Sequence, residues 1–114
     1  MDLFNSEDKM ISKDTKSNLF LVILSYKVDL EKVNSFRSAH LEFLQNCYDK
    51  NLFIVSGPKV PRNGGIILTR FDSKYMLRAL LEKDPFAIND LADYEIIEFE
   101  PTKWSSLFEG VLFD

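Results

Sequence analysis

The chain has 114 residues, and 14 Lys and Arg against 18 Asp and Glu give a formal charge of 14 − 18 = −4. This length fits one domain. The acidic balance argues against a nucleic-acid-binding domain, which normally carries a basic face. The single Cys excludes an intramolecular disulfide and a zinc cluster. The longest apolar run, from Leu19 to Leu24, is far shorter than the roughly 20 residues of a membrane span.

The two ends of the chain differ from its middle in composition. Residues 1–18 are mostly polar, and we expect a flexible N-terminal extension there. Asp2 and Glu7 give this segment the wrong charge for a secretory signal, so the expected location is the cytoplasm. Residues 102–114 are apolar enough to pack on the domain, which spans residues 19–101, or on a dimer partner.

Four segments have the composition of strands, and they cover residues 19–26, 52–56, 66–71 and 94–99. Apolar residues at three- and four-residue spacing predict one amphipathic helix from Leu30, after an N-cap at Asp29, to about Lys50. A second helix follows Ser73 and ends before Pro85, because the residue before a proline disfavours the helical region. Residues 86–92 are expected to form a loop.

The resulting order β-α-β-β-α-β predicts an α+β, ferredoxin-like fold, with a four-stranded antiparallel sheet and two helices on one face. The other sheet face then has no cover from the chain's own helices. The first strand is apolar on both faces, and soluble monomers rarely expose large apolar patches. The sequence therefore predicts a homodimer that associates through this sheet face.

The residue best suited to proton transfer near neutral pH is His40, the single histidine. It lies four residues from both Phe36 and Leu44, so it faces the sheet. Asp84 is at the end of the second helix, and if the two helices pack side by side on one sheet face, it can reach His40 and orient its imidazole ring. The alternative is that His40 is a hydrogen-bonded core residue and that Asp84-Pro85 only ends a helix.

Further candidates for substrate binding lie on the same helix as His40 and in the connection between the second and third strands. Arg37 shares one edge of the helix with His40. The other candidates are Ser56, Gly57 and Pro58 after the second strand, and Gly64 and Gly65 before the third. Each glycine pair or turn also has a purely structural explanation, although adjacent glycines expose N–H groups that can hold an anion. No metal-binding spacing and no cofactor motif is present, so neither a metal nor a cofactor is expected.

These residues resemble the YciI-related family. The resemblance rests on four motifs in order: Arg37-x-x-His40-Leu41, Ser56-Gly57-Pro58, Gly64-Gly65 and Asp84-Pro85-Phe86. It implies a ferredoxin-like fold that dimerises through its sheets into an α/β barrel. It also implies a His/Asp pair in a pocket, at His40 and Asp84 here. Related proteins include a dehydrochlorinase acting on a chlorinated hydroxyhydroquinone, and the wider superfamily includes cofactor-free monooxygenases and muconolactone isomerases.

Two functions of different classes agree with these residues. The first is a small cofactor-independent enzyme, a lyase, isomerase or dehydrochlorinase-like protein. His40 is then the general acid/base, Asp84 orients it, and the substrate is small and anionic or phenolic. A Ser56-His40-Asp84 acyl-transfer triad has the right composition, but nothing marks Ser56 as a nucleophile. The second is a non-catalytic dimeric module that binds a small molecule. A dimer with no ligand is the third and simplest alternative.

Overall fold

The structure of the protein, a computed structural model, describes residues 17–113. The predicted N-terminal extension therefore lies outside the described residues, except for Ser17 and Asn18. The elements, in chain order, are β1 (Leu19–Tyr26), α1 (Leu30–Asn34), α2 (Arg37–Asp49), β2 (Phe53–Pro58), β3 (Gly64–Arg70), α3 (Lys74–Leu81), α4 (Pro85–Ile88), β4 (Ala92–Phe99), a 3-10 turn (Ser106–Phe108) and α5 (Glu109–Leu112).

The strands form one antiparallel sheet in the order β2-β3-β1-β4. This confirms the predicted α+β, ferredoxin-like fold. β1 is central, as its unbroken apolar run indicates, because it has a hydrogen-bonded strand on each side. Phe20, Val22 and Leu24 on its helix side are all at most 2% exposed.

Two predictions are wrong in detail, one for a helix and one for a loop. The helix expected from Leu30 to about Lys50 is broken at Ser35 and Phe36, between α1 and α2. The Ser35 hydroxyl donates to the Lys32 carbonyl at 2.6 Å, a local bond that competes with continued helix. The loop expected over residues 86–92 contains α4. Asp84 is its N-cap and Pro85 occupies its first turn, where a missing N–H costs nothing.

The two faces of the sheet have different surroundings. The helix side holds the main core, which includes Val22, Ile67, Leu77 and Ile96. On the other side, called the outer face below, alternation along the strands places a set of apolar residues that remain partly or largely exposed. These are Leu21, Ile23, Val55, Ile66, Leu68, Ile97 and Phe99. Within residues 17–113, no helix has the length and apolar composition to cross a membrane.

The C-terminal segment packs at one end of the outer face. The Arg70 guanidinium donates to the Val111 carbonyl at 2.7 Å, and the Ser17 N–H donates to the Leu112 carbonyl at 3.2 Å. Leu112 is fully buried although it lies outside the main core on the helix side. Arg70 pairs with Leu19, the first residue of β1, so this segment lies at the end of the sheet opposite Leu24 and Tyr26.

Cys47, the buried residue of α2, provides a test of how this helix packs against the main core. It is 3% exposed, and burial raises the pKa of its thiol from 9.0 to about 11. Since the folded pKa lies above the unfolded one, the contribution of this thiol to the free energy of unfolding is complete below pH 9.0 and is lost as the pH rises toward about 11. We expect no reaction with a thiol reagent in the native protein below that range and full reaction in denaturant. Rapid native labelling would contradict the described packing of α2.

Candidate active site

The centre of the candidate site is a direct contact between α2 and the start of α4. The Nδ1 atom of His40 lies 2.8 Å from Oδ1 of Asp84. A carboxylate oxygen can only accept, so Nδ1 carries the proton and donates. Asp84 is completely buried, whereas 13% of the His40 side chain is exposed. The structure thus brings together the two residues that the sequence predicted as a pair.

Two further donors hold the Asp84 carboxylate. The Phe86 N–H donates to Oδ1 at 3.0 Å, and the Tyr94 hydroxyl donates to Oδ2 at 2.6 Å. A buried charge is costly unless it is hydrogen-bonded, and here three donors surround one carboxylate. Among the described residues, no buried side-chain nitrogen or oxygen is without a hydrogen-bond partner. Asp84 is therefore fixed in one orientation.

Burial, together with the contact with Asp84, keeps the Tyr94 hydroxyl protonated. Burial raises the pKa of the Tyr94 hydroxyl far above its ordinary value, and the charge of Asp84 and its hydrogen bond raise it further. Since Tyr94 is neutral in the folded protein even at alkaline pH, it remains a donor to Asp84 under all ordinary conditions.

The ring of Phe86 sets the plane of the His40 imidazole. The two rings stack with centroids 3.9 Å apart and an angle of 4° between their planes. Tyr26 meets the same Phe86 ring edge-on, at 6.0 Å and 89°. With Nδ1 held by Asp84 and the ring held by Phe86, the imidazole has little freedom to turn. No hydrogen bond to another described residue occupies its second nitrogen, Nε2.

His40 lines a cavity of about 210 Å³. The cavity lies between α2, the C-terminal ends of β1 and β2, and the N-terminal end of β3. This volume suits a molecule the size of a single substituted ring, smaller than the pockets that hold drug-sized ligands. Its walls are mostly apolar, with a few polar groups. The lining residues are Leu24, Tyr26, Arg37, His40, Leu41, Leu44, Ser56, Gly57, Pro58, Gly65, Ile66, Ile67 and Phe86.

The predicted substrate-binding residues divide into two groups. Arg37, Ser56, Gly57, Pro58 and Gly65 line the cavity together with His40. Arg37 makes no ion pair with any residue in the range 17–113, so its charge is available to a ligand.

Gly64 is not among the lining residues. A Cβ atom there would lie 1.9 Å from the Leu24 carbonyl oxygen, so only glycine permits the close approach of β3 to β1 at this end of the sheet. Gly65, its neighbour, has more space: a Cβ there would lie 3.3 Å from the Gly57 carbonyl oxygen.

Ser56 has a different partner from the one that an acyl-transfer triad needs. Its Oγ lies 2.6 Å from the hydroxyl of Tyr48, near the end of α2. Within the described part of the chain, Ser56 makes no hydrogen bond with His40, and the Nδ1 atom of His40 is bonded to Asp84. A serine nucleophile requires a base on its hydroxyl, and a tyrosine hydroxyl is not one at neutral pH. No group of three His, Cys, Asp or Glu side chains that could hold a metal lies within residues 17–113.

Sequence reasoning missed Tyr94, Tyr48, Phe86 and Tyr26 as parts of the site. Tyr94 and Tyr48 lie in a predicted strand and a predicted helix, where an aromatic residue indicates core packing. One signal was available for Phe86: an Asp N-cap accepts from the N–H two or three residues later, which places residue 86 next to Asp84. The two hydroxyl contacts depend on tertiary packing and had no signal in the sequence.

Removal of the Tyr94 hydroxyl tests the network around Asp84. Tyr94→Phe leaves Oδ2 of a buried carboxylate without its donor, and we expect a loss of about 1–3 kcal/mol in the free energy of unfolding. Denaturant titration measures this loss. Tyr75→Phe is the matched control, because the Tyr75 side chain is 83% exposed and its replacement should change stability by less than about 0.5 kcal/mol. Equal effects of the two substitutions would contradict the network.

Comparisons with known proteins give the family of this chain. No curated protein matches it, whereas 11 chains of solved structures do. One is 5-chloro-2-hydroxyhydroquinone dehydrochlorinase from Burkholderia phenoliruptrix AC1100 in complex with 2,5-dihydroxybenzoquinone. It superposes with a TM-score of 0.61 at 20% sequence identity, over 76% of this chain and 93% of the dehydrochlorinase, which shows a shared fold. The model of the YCII-related domain matches residues 19–100. The chain therefore belongs to the YCII-related domain family.

Proposed function

We propose that the protein is a small cofactor-independent enzyme in which His40 is the general acid/base and Asp84 orients it. The observation that carries the proposal is the His40–Asp84 hydrogen bond of 2.8 Å at the wall of a cavity, with Nε2 free of hydrogen bonds to residues 17–113. A carboxylate on Nδ1 fixes the tautomer in which Nε2 carries the lone pair. Such a nitrogen can take a proton from a bound molecule and return it.

The chemistry that one base supports is an elimination or an isomerisation. Nε2 takes a proton from an acidic C–H or a ring O–H, and the electron pair of that bond forms a new double bond. In an elimination, a leaving group on the adjacent atom departs with its own bonding electrons, and the proton on Nε2 then passes to that leaving group or to water. In an isomerisation, the proton on Nε2 is returned to a different carbon. Both reactions balance without an oxidant, a reductant or a metal.

The cavity favours a small anionic or phenolic substrate. The Arg37 guanidinium, unpaired within the described chain, complements negative charge, and Leu44 and Ile67 provide apolar walls for a ring. The dehydrochlorinase with the same fold acts, according to its name, on a chlorinated hydroxyhydroquinone, and its structure holds a dihydroxybenzoquinone. These two observations support substrates of that chemical class for this chain.

The alternative is a dimeric module that binds a small molecule without reaction. The same cavity and the same His40 would then provide a hydrogen-bonding contact. The two functions differ in whether the removal of Nε2 abolishes turnover or only weakens binding.

The catalytic proposal is tested with the full chain, chlorinated hydroxyhydroquinones and activated enols, with chloride release and isomerisation followed by NMR. We expect His40→Gln to lower turnover by about 10²- to 10⁴-fold, the usual contribution of a general acid/base. Asp84→Asn should also lower kcat and should shift the ¹⁵N signals of the single imidazole toward a mixture of tautomers. The matched control is Asp90→Asn, because Asp90 is an exposed carboxylate close in sequence to Asp84.

Three outcomes decide between the functions. Turnover that depends on His40 and Asp84 but not on Asp90 supports the enzyme. Full turnover by His40→Gln overturns the catalytic role of this residue. Binding of the probes by the wild-type protein with no turnover on any of them supports the binding module instead.

We further propose that the chain forms a homodimer through the outer face of the sheet. Val55, Ile97 and Phe99 are 55%, 39% and 43% exposed on this face. Leu21 and Leu68 lie between them in neighbouring strands, which makes the apolar surface continuous. The packed C-terminal segment covers only the end of the face near Leu19. A second copy of the same face is the simplest apolar surface that would cover the remainder.

Sedimentation velocity tests the dimer. We expect the wild-type protein to sediment as a dimer, and Ile97→Lys to shift it toward monomer, because two charges would be buried in a symmetric interface. Tyr75→Lys is the control, since Tyr75 is 83% exposed on α3, on the opposite side of the sheet. A wild-type protein that sediments as a monomer at all concentrations tested would sink the proposal.

A further inference from the structure

The cavity contains a second hydrogen-bonded pair, separate from His40 and Asp84. The Tyr48 hydroxyl and Ser56 Oγ are 2.6 Å apart and share a hydrogen bond. Ser56 lines the cavity, whereas Tyr48 does not. Tyr48 therefore contacts Ser56 from behind the wall.

Packing holds Tyr48 in this position. Its ring meets that of Phe53 edge-on, with centroids 6.1 Å apart and an angle of 89°. Phe53 is 5% exposed and belongs to the main core. Ser56 lies on the same strand as Phe53 and pairs with the buried Ile67 of β3. Both hydroxyls are thus carried by packed elements, and neither depends on a loop for its position.

The chemistry of the two hydroxyls gives the direction of the bond. The distance alone leaves either oxygen as the donor. A phenolic hydroxyl is more acidic than an aliphatic one, which favours donation by Tyr48 to Ser56. The proton of Ser56 is then free to be donated to the cavity. A hydroxyl that already accepts a hydrogen bond is polarised and becomes a better donor.

From this geometry we propose that Ser56, oriented by Tyr48, is the subsite for a carbonyl, enolate or phenolate oxygen of the ligand. Ser56 would touch the ligand, and Tyr48 would be a positioning residue that acts through Ser56. The inference rests on the proposed function for its role in catalysis. When His40 removes a proton from the substrate, the electron pair moves toward this oxygen, and the Ser56 O–H stabilises the negative charge.

The subsite also limits the ligand. The oxygen that faces Ser56 must be an acceptor, and Leu44, Pro58 and Ile67 provide apolar walls of the same cavity for the rest of the molecule. A flat ring that carries a carbonyl or ionised hydroxyl group meets both conditions. An ammonium group in place of that oxygen cannot accept the Ser56 proton, so it would lose the hydrogen bond that defines this subsite.

Equilibrium binding tests the proposal without any need for turnover. The probes are 4-nitrophenolate and 4-nitrotoluene, which have similar rings but differ in the oxygen. We expect Ser56→Ala to weaken the binding of 4-nitrophenolate about ten- to hundredfold, the usual effect of one donor to a charged group. The binding of 4-nitrotoluene should not change. Tyr48→Phe, which keeps the ring on Phe53, should weaken only the phenolate, by several-fold.

The double variant separates a positioning role from direct contact. If Tyr48 acts through Ser56, Tyr48→Phe adds no further loss once Ser56 is Ala, so the two effects are non-additive. Tyr75→Phe is the control for the loss of a tyrosine hydroxyl and should bind both probes as the wild-type protein does.

The proposal is overturned if Ser56→Ala binds 4-nitrophenolate normally, if Tyr48→Phe weakens both probes equally, or if the wild-type protein does not prefer the phenolate. These outcomes are independent of the proposed enzyme. Turnover that requires His40, with no effect of Ser56, would keep the catalytic proposal and remove this subsite. Phenolate binding that requires Ser56, with no turnover, would do the reverse.

Discussion

A buried carboxylate at the N-cap of α4 is the constraint on which the site depends. An unpaired buried charge costs several kcal/mol, so Asp84 must be surrounded by donors for the chain to fold around it. The donors come from three elements: His40 from α2, the Phe86 N–H from α4, and Tyr94 from β4. The requirement to satisfy one carboxylate therefore fixes the relative positions of these elements.

The same requirement connects stability with the proposed chemistry. Asp84 is at once the N-cap of α4 and the partner of His40. The cap places Phe86 against the imidazole, and the stacked rings then fix the plane of a ring that lines the cavity. A single side chain thus begins a helix, selects a tautomer and sets a ring plane. Any replacement of Asp84 changes all three together.

The order of strands and helices was predictable from the sequence because it rests on local patterns. The His40–Asp84 pair, 44 positions apart, was predicted instead from the expected packing of two helices on one sheet face and from the resemblance to the YciI-related family. The apolar run of β1 marked the central strand, and the spacing of His40 from Phe36 and Leu44 placed it on the sheet side of its helix. The helix break at Ser35 was missed because apolar spacing continues across it, and only the hydroxyl bond to Lys32 shows it. Tyr94 contacts Asp84, 10 positions away, and Tyr48 contacts Ser56, 8 positions away. In each pair the two residues lie on different elements. Such pairings are decided by packing, which local periodicity does not encode.

The two faces of β1 border different surroundings, the cavity on one side and the outer face on the other. Successive side chains along the strand point alternately to these two faces. Leu24 lines the cavity, whereas Ile23, directly before it, belongs to the outer face. A side chain on either face is separated from the other surface by only one thickness of backbone. Substitutions in this strand can therefore change the cavity wall and the outer face independently, whereas an insertion cannot. One residue added to or removed from the middle of this strand would move every later side chain to the opposite face, and would exchange the wall of the cavity for the apolar outer surface in a single step.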